Sequence, residues 1–418
     1  MDSNQYRVNK ANAYNGWDPL KQVVLGNVFT PEFFEDIADH KLRDLMQKIL
    51  FETHQDLDNI QKTLEDMGVD VVRMPPNRVS ALGSRGGNYS SFAEYVEHER
   101  REGIIGIPKP CLTPRDDFIT LGDKIVYCDH MWHDEIYLDK SPFDKNVEIS
   151  TGIFNPAVLD LPFQEAVHEY RKNKYKIDPN GKLLDPEQFN SENTKGPLNP
   201  TGFNEKMMHH TWGFWAPAVH RVGNRLIIDQ EDWSNLADFL LDRYPQYEGA
   251  NVTIGGHNDG SMNLPKPGLV VCGSWMGPED FKDTLPGWDV VPIQNPNTMK
   301  WEDNVDWRKE KGITNGRWWH PEAKENPNLV SFIDRWCSEW VGKAEETLFE
   351  VNMLAVNENV SLSLNYQKEV HGALAKHGVE AVYCRFRHRN FWDGGLHCLT
   401  LDTYREGGMK DYFNGTSS

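Results

Sequence analysis

The chain has 418 residues, 39% of them hydrophobic, and carries 44 Lys and Arg against 63 Asp and Glu for a formal net charge of −19. A core of ample size is available, while the acidic balance counts against a phosphate-backbone partner and favours neutral or cationic small molecules. With no apolar run near the roughly 20 residues that span a bilayer and no secretory leader in MDSNQYRVNKAN, a cytoplasmic protein with no membrane or nucleic-acid partner is expected.

From the N-terminus, Val23 to Leu25 reads as a strand. Apolar residues then recur at helical spacing from Leu42 through Ile49, Leu57 and Leu64 to Met67, which predicts a long amphipathic helix over Lys41 to Met67. Gly68 stops it, and Val69 to Arg73 follows as a strand. The same helix, glycine and strand order recurs in LPGWDVVPIQNP (Leu285 to Pro296) and LAKHGVEAVYCRF (Leu374 to Phe386). A looser copy runs from Asp232 to Tyr244 as helix into Asn251 to Ile254 as strand. Between these units lie hairpin-like stretches, FITLGDKIVYC, VHRVGNRLIID, MNLPKPGLVVCG and VNMLAVNENVSLSLN, turning at LGDK, VGNR, PKPG and NENV.

A hairpin, a helix and a returning strand recur about five times if the N-terminal strand closes the last copy with a C-terminal strand near Leu399 to Leu401, which predicts blades around an axis. The expected fold class is α/β, a fivefold pseudo-symmetric β/α-propeller of ββαβ modules, in one catalytic domain over residues 1–418. An ordinary doubly wound α/β sheet shares the helix, glycine and strand grammar, but it wants single parallel strands and has no use for the hairpins. Two irregular insertions break the rhythm. Residues 140–215 are polar, with a turn at Asp178-Pro-Asn-Gly that lacks the later ligands of a calcium loop. Residues 297–345 hold six tryptophans (Trp301, Trp307, Trp318, Trp319, Trp336, Trp340), which suits packing, or an interface in a homo-oligomer, better than a linker or catalysis.

Reactive side chains gather at three places punctuated by glycine or proline. CLTPRDDFITLG carries Arg115, Asp116 and Asp117; TIGGHNDGSMN carries His257 and Asp259; GGLHCLTLD carries His397 and Cys398. Glycines let a ligand approach the backbone closely, so His257 and Cys398 are expected to face a cavity as a base and a thiolate nucleophile. Asp116 and Asp259 supply planar acceptors for a guanidinium, whose N–H donors form a fork. The predicted substrate is a small cation with several N–H groups. None of the six cysteines (Cys111, Cys128, Cys272, Cys337, Cys384, Cys398) forms a C-x-x-C pair, as expected of reduced thiols. His130, His133, Asp134 and Glu135 look like a ligand cluster but have no distant third partner, and His209-His210 reads as a loop pair. No nucleotide-binding glycine motif follows a strand, so neither a metal nor an organic cofactor is expected.

In order along the chain, these stretches resemble the arginine:glycine amidinotransferase family of the guanidine-modifying pentein superfamily. YNGWDPLKQVVLG (Tyr14 to Gly26) is similar to the family's opening strand, and TPRDDFITLGDKIVYC to its Pro-Arg-Asp hairpin. GGHNDGSMN is similar to its His-x-Asp loop and NFWDGGLHCLTLD to its Gly-Gly-x-His-Cys nucleophile motif, so the likeness spans residues 14–408. The resemblance implies the fivefold propeller, Cys398 as nucleophile, His257 as general acid/base and Asp116 and Asp259 as guanidinium-binding carboxylates; Arg115, His220 and His397 are further candidates for contact with the substrate. It implies an amidinotransferase that moves the amidino group of arginine, or of a close guanidino donor, to an acceptor amine, ping-pong, through a covalent amidino-cysteine.

One segment departs from the family pattern. Where the family carries acids in a Phe-Asp-Ala-Ala-Asp-Phe segment, this chain reads FWAPAV (Phe214 to Val219), with Trp215 and Ala218 in their place. His220 would share Ala218's face of a strand and replace the acids in part. The missing carboxylates keep two other readings open: a guanidino-compound hydrolase on the same scaffold, and a non-catalytic binder of guanidino compounds.

Overall fold

The computed structural model describes residues 7–77, 90–127, 216–229, 240–252, 258–294, 327–340 and 349–413, apart from 103–106, 108, 242 and 338–339, with short pieces between 143 and 151. Its strands form five sheets of three strands each. The first is built from β1 (Leu20–Leu25), β2 (Asp70–Arg73) and the last strand, β15 (Thr400–Arg405). The others follow in chain order: β3 (Phe118–Leu121), β4 (Lys124–Tyr127) and β5 (Ile149–Thr151); β6 (Val219–Val222), β7 (Arg225–Asp229) and β8 (Glu248–Val252). Then come β9 (Met262–Lys266), β10 (Leu269–Gly273) and β11 (Asp289–Ile293), and β12 (Leu354–Asn357), β13 (Val360–Ser363) and β14 (Glu380–Tyr383).

Every sheet is wired alike. The central strand pairs antiparallel with one neighbour and parallel with the other. A tight turn can only return the chain antiparallel, and a parallel partner needs a longer crossover, so the alternation of turn and crossover in the sequence dictates the alternation of pairing. The four predicted hairpins are β3–β4, β6–β7, β9–β10 and β12–β13. Gly122 at the first turn and Gly68 after the long helix both have positive φ, 61° and 79°, which a side chain would strain. The closing pair also forms, with Val24 opposite Leu401 and Leu25 opposite Thr400.

Helix α1 (His40–Asp66) matches the predicted one, with Asp39 accepting from the Lys41 and Leu42 amides at its N-terminus. It buries Leu42, Met46, Ile49, Leu57, Ile60 and Leu64 in the largest apolar cluster. The strand expected over Asn251 to Ile254 is present as β8, Glu248–Val252, which starts three residues earlier and runs in parallel register with Arg225 to Asp229, while Thr253 and Ile254 lie outside the described residues. Glu-Gly-Ala has little intrinsic strand preference, and pairing with a buried neighbour decides its conformation. The helix expected before it lies mostly outside the described residues, as does nearly all of 140–215. Of the tryptophan-rich stretch, Trp340 is fully buried, stacked on Phe29 and Trp392 with centroids 5.3 Å away in each case. Trp301, Trp307, Trp318 and Trp319 lie outside the described residues. Among the described residues no helix is long and apolar enough to cross a membrane.

A buried ion cluster ties three sheets together. Asp402 of β15 accepts from Arg221 of β6 at 2.6 Å, from Arg115 just before β3 at 2.8 Å and from Arg405 of β15 at 2.5 Å.

Candidate active site

Each sheet begins with a short segment leading into its first strand, and these leaders bring the reactive groups together. Asp116 lies in the one-turn helix Pro114–Asp117 before β3, Ala218 ends a turn before β6, and Asp259 lies in the one-turn helix Asn258–Ser261 before β9. Asn352 precedes β12, and Cys398 precedes β15. Residues far apart in the chain thus occupy equivalent places in the repeat.

Cys398 is 3% exposed. Its thiol donates to Asp259 Oδ2 at 3.5 Å, and Asn352 Nδ2 donates to its sulfur at 3.0 Å. Asn352 Oδ1 accepts from the Cys398 amide at 3.1 Å and the His397 amide at 2.9 Å, while Nδ2 also reaches the Asp259 carbonyl at 2.9 Å. The Gly-Gly pair ahead of His397 and Cys398 follows from this packing. A Cβ on Gly395 would stand 2.4 Å from Asn352 Oδ1, so any side chain there would expel the carboxamide that holds the cysteine loop. Sequence reasoning missed Asn352. Its one signal is position, since Val351-Asn352 stands ahead of a predicted hairpin as the Asp116 and Asp259 segments do.

Burial pushes the Cys398 thiol well above its ordinary range, and the charges of Asp259 and Asp116 push it further. The resting sulfur is therefore a thiol, and its surroundings are short of a cation. Asp117 is raised to about 7, chiefly by burial and then by Asp116, and Lys109 reaches Asp116 Oδ2 at 3.4 Å.

His397 Nδ1 lies 2.8 Å from Asp259 Oδ2. Burial lowers its basicity, Arg115 lowers it further, and Asp259 opposes both. His220 sits with its ring centroid 6.0 Å from that of His397. Burial and then His397 press its pKa down to about 3, so it is a neutral imidazole. Ala218 lies in the turn before β6, so it and His220 do not share a strand face as expected, yet His220 stands beside His397. Ala218, in place of an acid, offers only its carbonyl, which accepts from Asn258 Nδ2 at 2.7 Å.

Arg115 is brought near but aimed elsewhere: its Nε donates to the Thr400 carbonyl at 3.1 Å and its Nη2 to Asp402. His257, Trp215, His130, His133 and His209 lie outside the described residues. Among the described residues no group of three or more His, Cys, Asp or Glu side chains is placed to hold a metal ion.

No family profile matches the chain. It is 21% identical over 417 aligned residues to inosamine-phosphate amidinotransferase 1 of Streptomyces griseus, an alignment covering 94% of this chain and 96% of that one. In structure it is similar to an amidinotransferase from Microseira wollei of the saxitoxin biosynthetic pathway, with TM-score 0.56, 16% identity and coverage of 96% of this chain and 99% of that one. It is also similar to inosamine-phosphate amidinotransferase StrB1 from Streptomyces griseus, with TM-score 0.55, 18% identity and the same 96% and 99% coverage. The likeness first visible in four short motifs therefore extends over nearly the whole chain, which is similar to the amidinotransferases in sequence and to their pentein fold in structure.

Proposed function

We propose that the protein is an amidinotransferase that moves the amidino group of arginine, or of a close guanidino donor, to an acceptor amine through a covalent amidino-cysteine, on a fivefold pseudo-symmetric β/α-propeller. The observation that carries the reading is the meeting of Cys398 Sγ with Asp259 and Asn352, within reach of the charge of Asp116. The names of the sequence relatives support the reaction class, and the five equivalent leader segments support the propeller.

Asp259 and Asp116 hold the donor's guanidinium as a bidentate pair of acceptors. That bound cation offsets the two negative fields that keep Cys398 protonated, so the thiol gives its proton to His257 as the donor binds. The thiolate attacks the guanidino carbon, the bond from that carbon to the departing nitrogen breaks, and His257 returns the proton to the leaving amine. An acceptor amine then enters, His257 takes a proton from it, its nitrogen attacks the amidino carbon, and Cys398 leaves as thiolate. The role of His257 rests on its motif. Asn352 steadies the sulfur through both anionic stages, and no step calls on a cofactor. Arg115 acts from behind, through Asp402 and Thr400.

The test is incubation with arginine and a panel of amines: glycine, lysine, 4-aminobutyrate and the inosamine phosphate of the relatives' names. Ornithine release that depends on the amine, with an amidino adduct on Cys398 found by mass spectrometry, is expected. Citrulline in place of a guanidinylated amine would make the protein a hydrolase, and absence of both turnover and adduct would make it a binder. Cys398→Ala should lose several orders of magnitude in rate; a variant that kept most of the activity would refute the covalent route.

A further inference from the structure

We propose that the junction of the five sheets holds a binding site for a small monovalent inorganic anion of the halide type. A cavity of about 20 Å³ opens there, lined by Gly16 ahead of β1, Arg115 ahead of β3, Arg221 of β6, Asn263 of β9, Ala355 of β12 and Arg405 of β15. Its wall thus draws on all five sheets and, among the described residues, includes no carboxylate.

The charge around it does not balance. The side chains of Arg115, Arg221 and Arg405 are 3%, 4% and 1% exposed, and all three pair with Asp402. Three cations against one anion leave two positive charges, and among the described residues no second carboxylate lies within ion-pair distance of the three. Backbone carbonyls of Thr400, Thr120, Asp18 and Ala355 accept from these guanidiniums. Those contacts satisfy hydrogen bonding but leave the net charge in place, and buried charge is stable only beside a counter-charge. His220 also lines the cavity, and its Nε2 is buried without a hydrogen-bond partner. His397 lines it too; the field of Arg115 bears on both imidazoles, and so does that of Asp259, whose carboxylate is taken up by His397 Nδ1 at 2.8 Å. An anion at this point meets the guanidinium excess and accepts from His220 together. A cavity of about 20 Å³ is large enough for one water-sized ion, which a halide matches.

The full-length protein crystallised in sodium bromide and measured at the bromine absorption edge is expected to give an anomalous peak in this cavity. At constant ionic strength, exchanging gluconate for chloride should raise the melting temperature saturably, by on the order of 2 °C. A Cβ at Gly16 meets nothing nearer than the Leu264 carbonyl at 4.0 Å, so Gly16→Asp can bring a carboxylate of the protein's own into the cavity. That variant should lose both the bromine peak and the chloride response, and Gly16→Ala should keep them. Absence of a peak in the cavity of the unaltered protein, or a chloride response that survives Gly16→Asp, would overturn the proposal. Should Gly16→Asp fail to fold, the bromine map of the unaltered protein decides. Neither readout involves turnover, so the outcome stands apart from the amidinotransferase reading.

Discussion

Asn352 uses every hydrogen-bonding position of its carboxamide: two amide N–H groups donate to its oxygen, and its nitrogen donates to the Asp259 carbonyl and to the Cys398 sulfur. A group so tied cannot swing away, so the donor to sulfur is preorganised, which is where a hydrogen bond to a developing anion is worth most. A hydrogen bond to a charged group contributes about 1.5–3 kcal/mol, so Asn352→Leu should lower kcat roughly 10- to 100-fold while far-ultraviolet circular dichroism stays unchanged. The thiol itself gives a second test. Since burial, Asp259 and Asp116 hold Cys398 well above 9, its alkylation rate in the free protein should keep climbing past pH 9. A non-reactive guanidinium compound should move that midpoint to lower pH, and a midpoint that stayed put would remove the substrate-assisted step.

Helix α1 reaches the loop that carries Cys398 across more than 300 residues of chain. Asp56 accepts from the Arg387 amide at 2.6 Å and from its Nε at 2.9 Å, His388 Nε2 meets Glu52 Oε2 at 2.7 Å, and Trp392 Nε1 donates to Thr53 Oγ1 at 2.9 Å. The polar positions along one side of an otherwise amphipathic helix therefore hold the turn Arg389–Trp392, six residues before Cys398 at its near end. Asp56→Ala removes the nearer of the two carboxylates paired with Arg387, leaving Glu52 at 3.4 Å, and should cost about 1 kcal/mol of stability, read by urea unfolding. Its larger effect should be on kcat, because the loop it anchors carries the sulfur. The existence of α1 was plain from apolar spacing; its partnership with the loop was not, since no local pattern announces which distant segment a polar helix side chain will meet.

At the scale of the molecule, four histidines are held neutral. Burial is the main cause at His54, His220, His388 and His397, with His220 pressed to about 3. A histidine whose folded pKa lies below its unfolded value contributes fully above the unfolded pKa, near 6.5, and loses that contribution as pH falls toward the folded value. Stability should accordingly decline from about pH 6.5 downward, by up to about 1.4 kcal/mol per pH unit for each such histidine, and the urea midpoint should fall between pH 6.5 and pH 5. Asp402 is lowered too, but by neighbouring charge and against the effect of burial. Burial alone would raise it, but Arg221, Arg115 and Arg405 together hold it well below the carboxylate range, so its contribution persists until strongly acid pH. A flat stability profile between pH 6.5 and 5 would contradict the buried neutral imidazoles.

The sequence by itself determined the repeat and most of the reactive inventory. Turn residues at fixed offsets, helical spacing and glycine stops are local signals, so the hairpins, α1 and the strand after it could be read directly, as could Asp116, Asp259 and Cys398 from their glycine and proline surroundings. Only the tertiary structure decided what those residues touch. Asn352 had no local mark as a partner of sulfur, and Arg115, expected beside the substrate, directs its guanidinium to a carboxylate 287 positions away. Contacts of that kind depend on how separate repeats pack against one another, and a short window of chain carries periodicity and turn chemistry but no distances between windows.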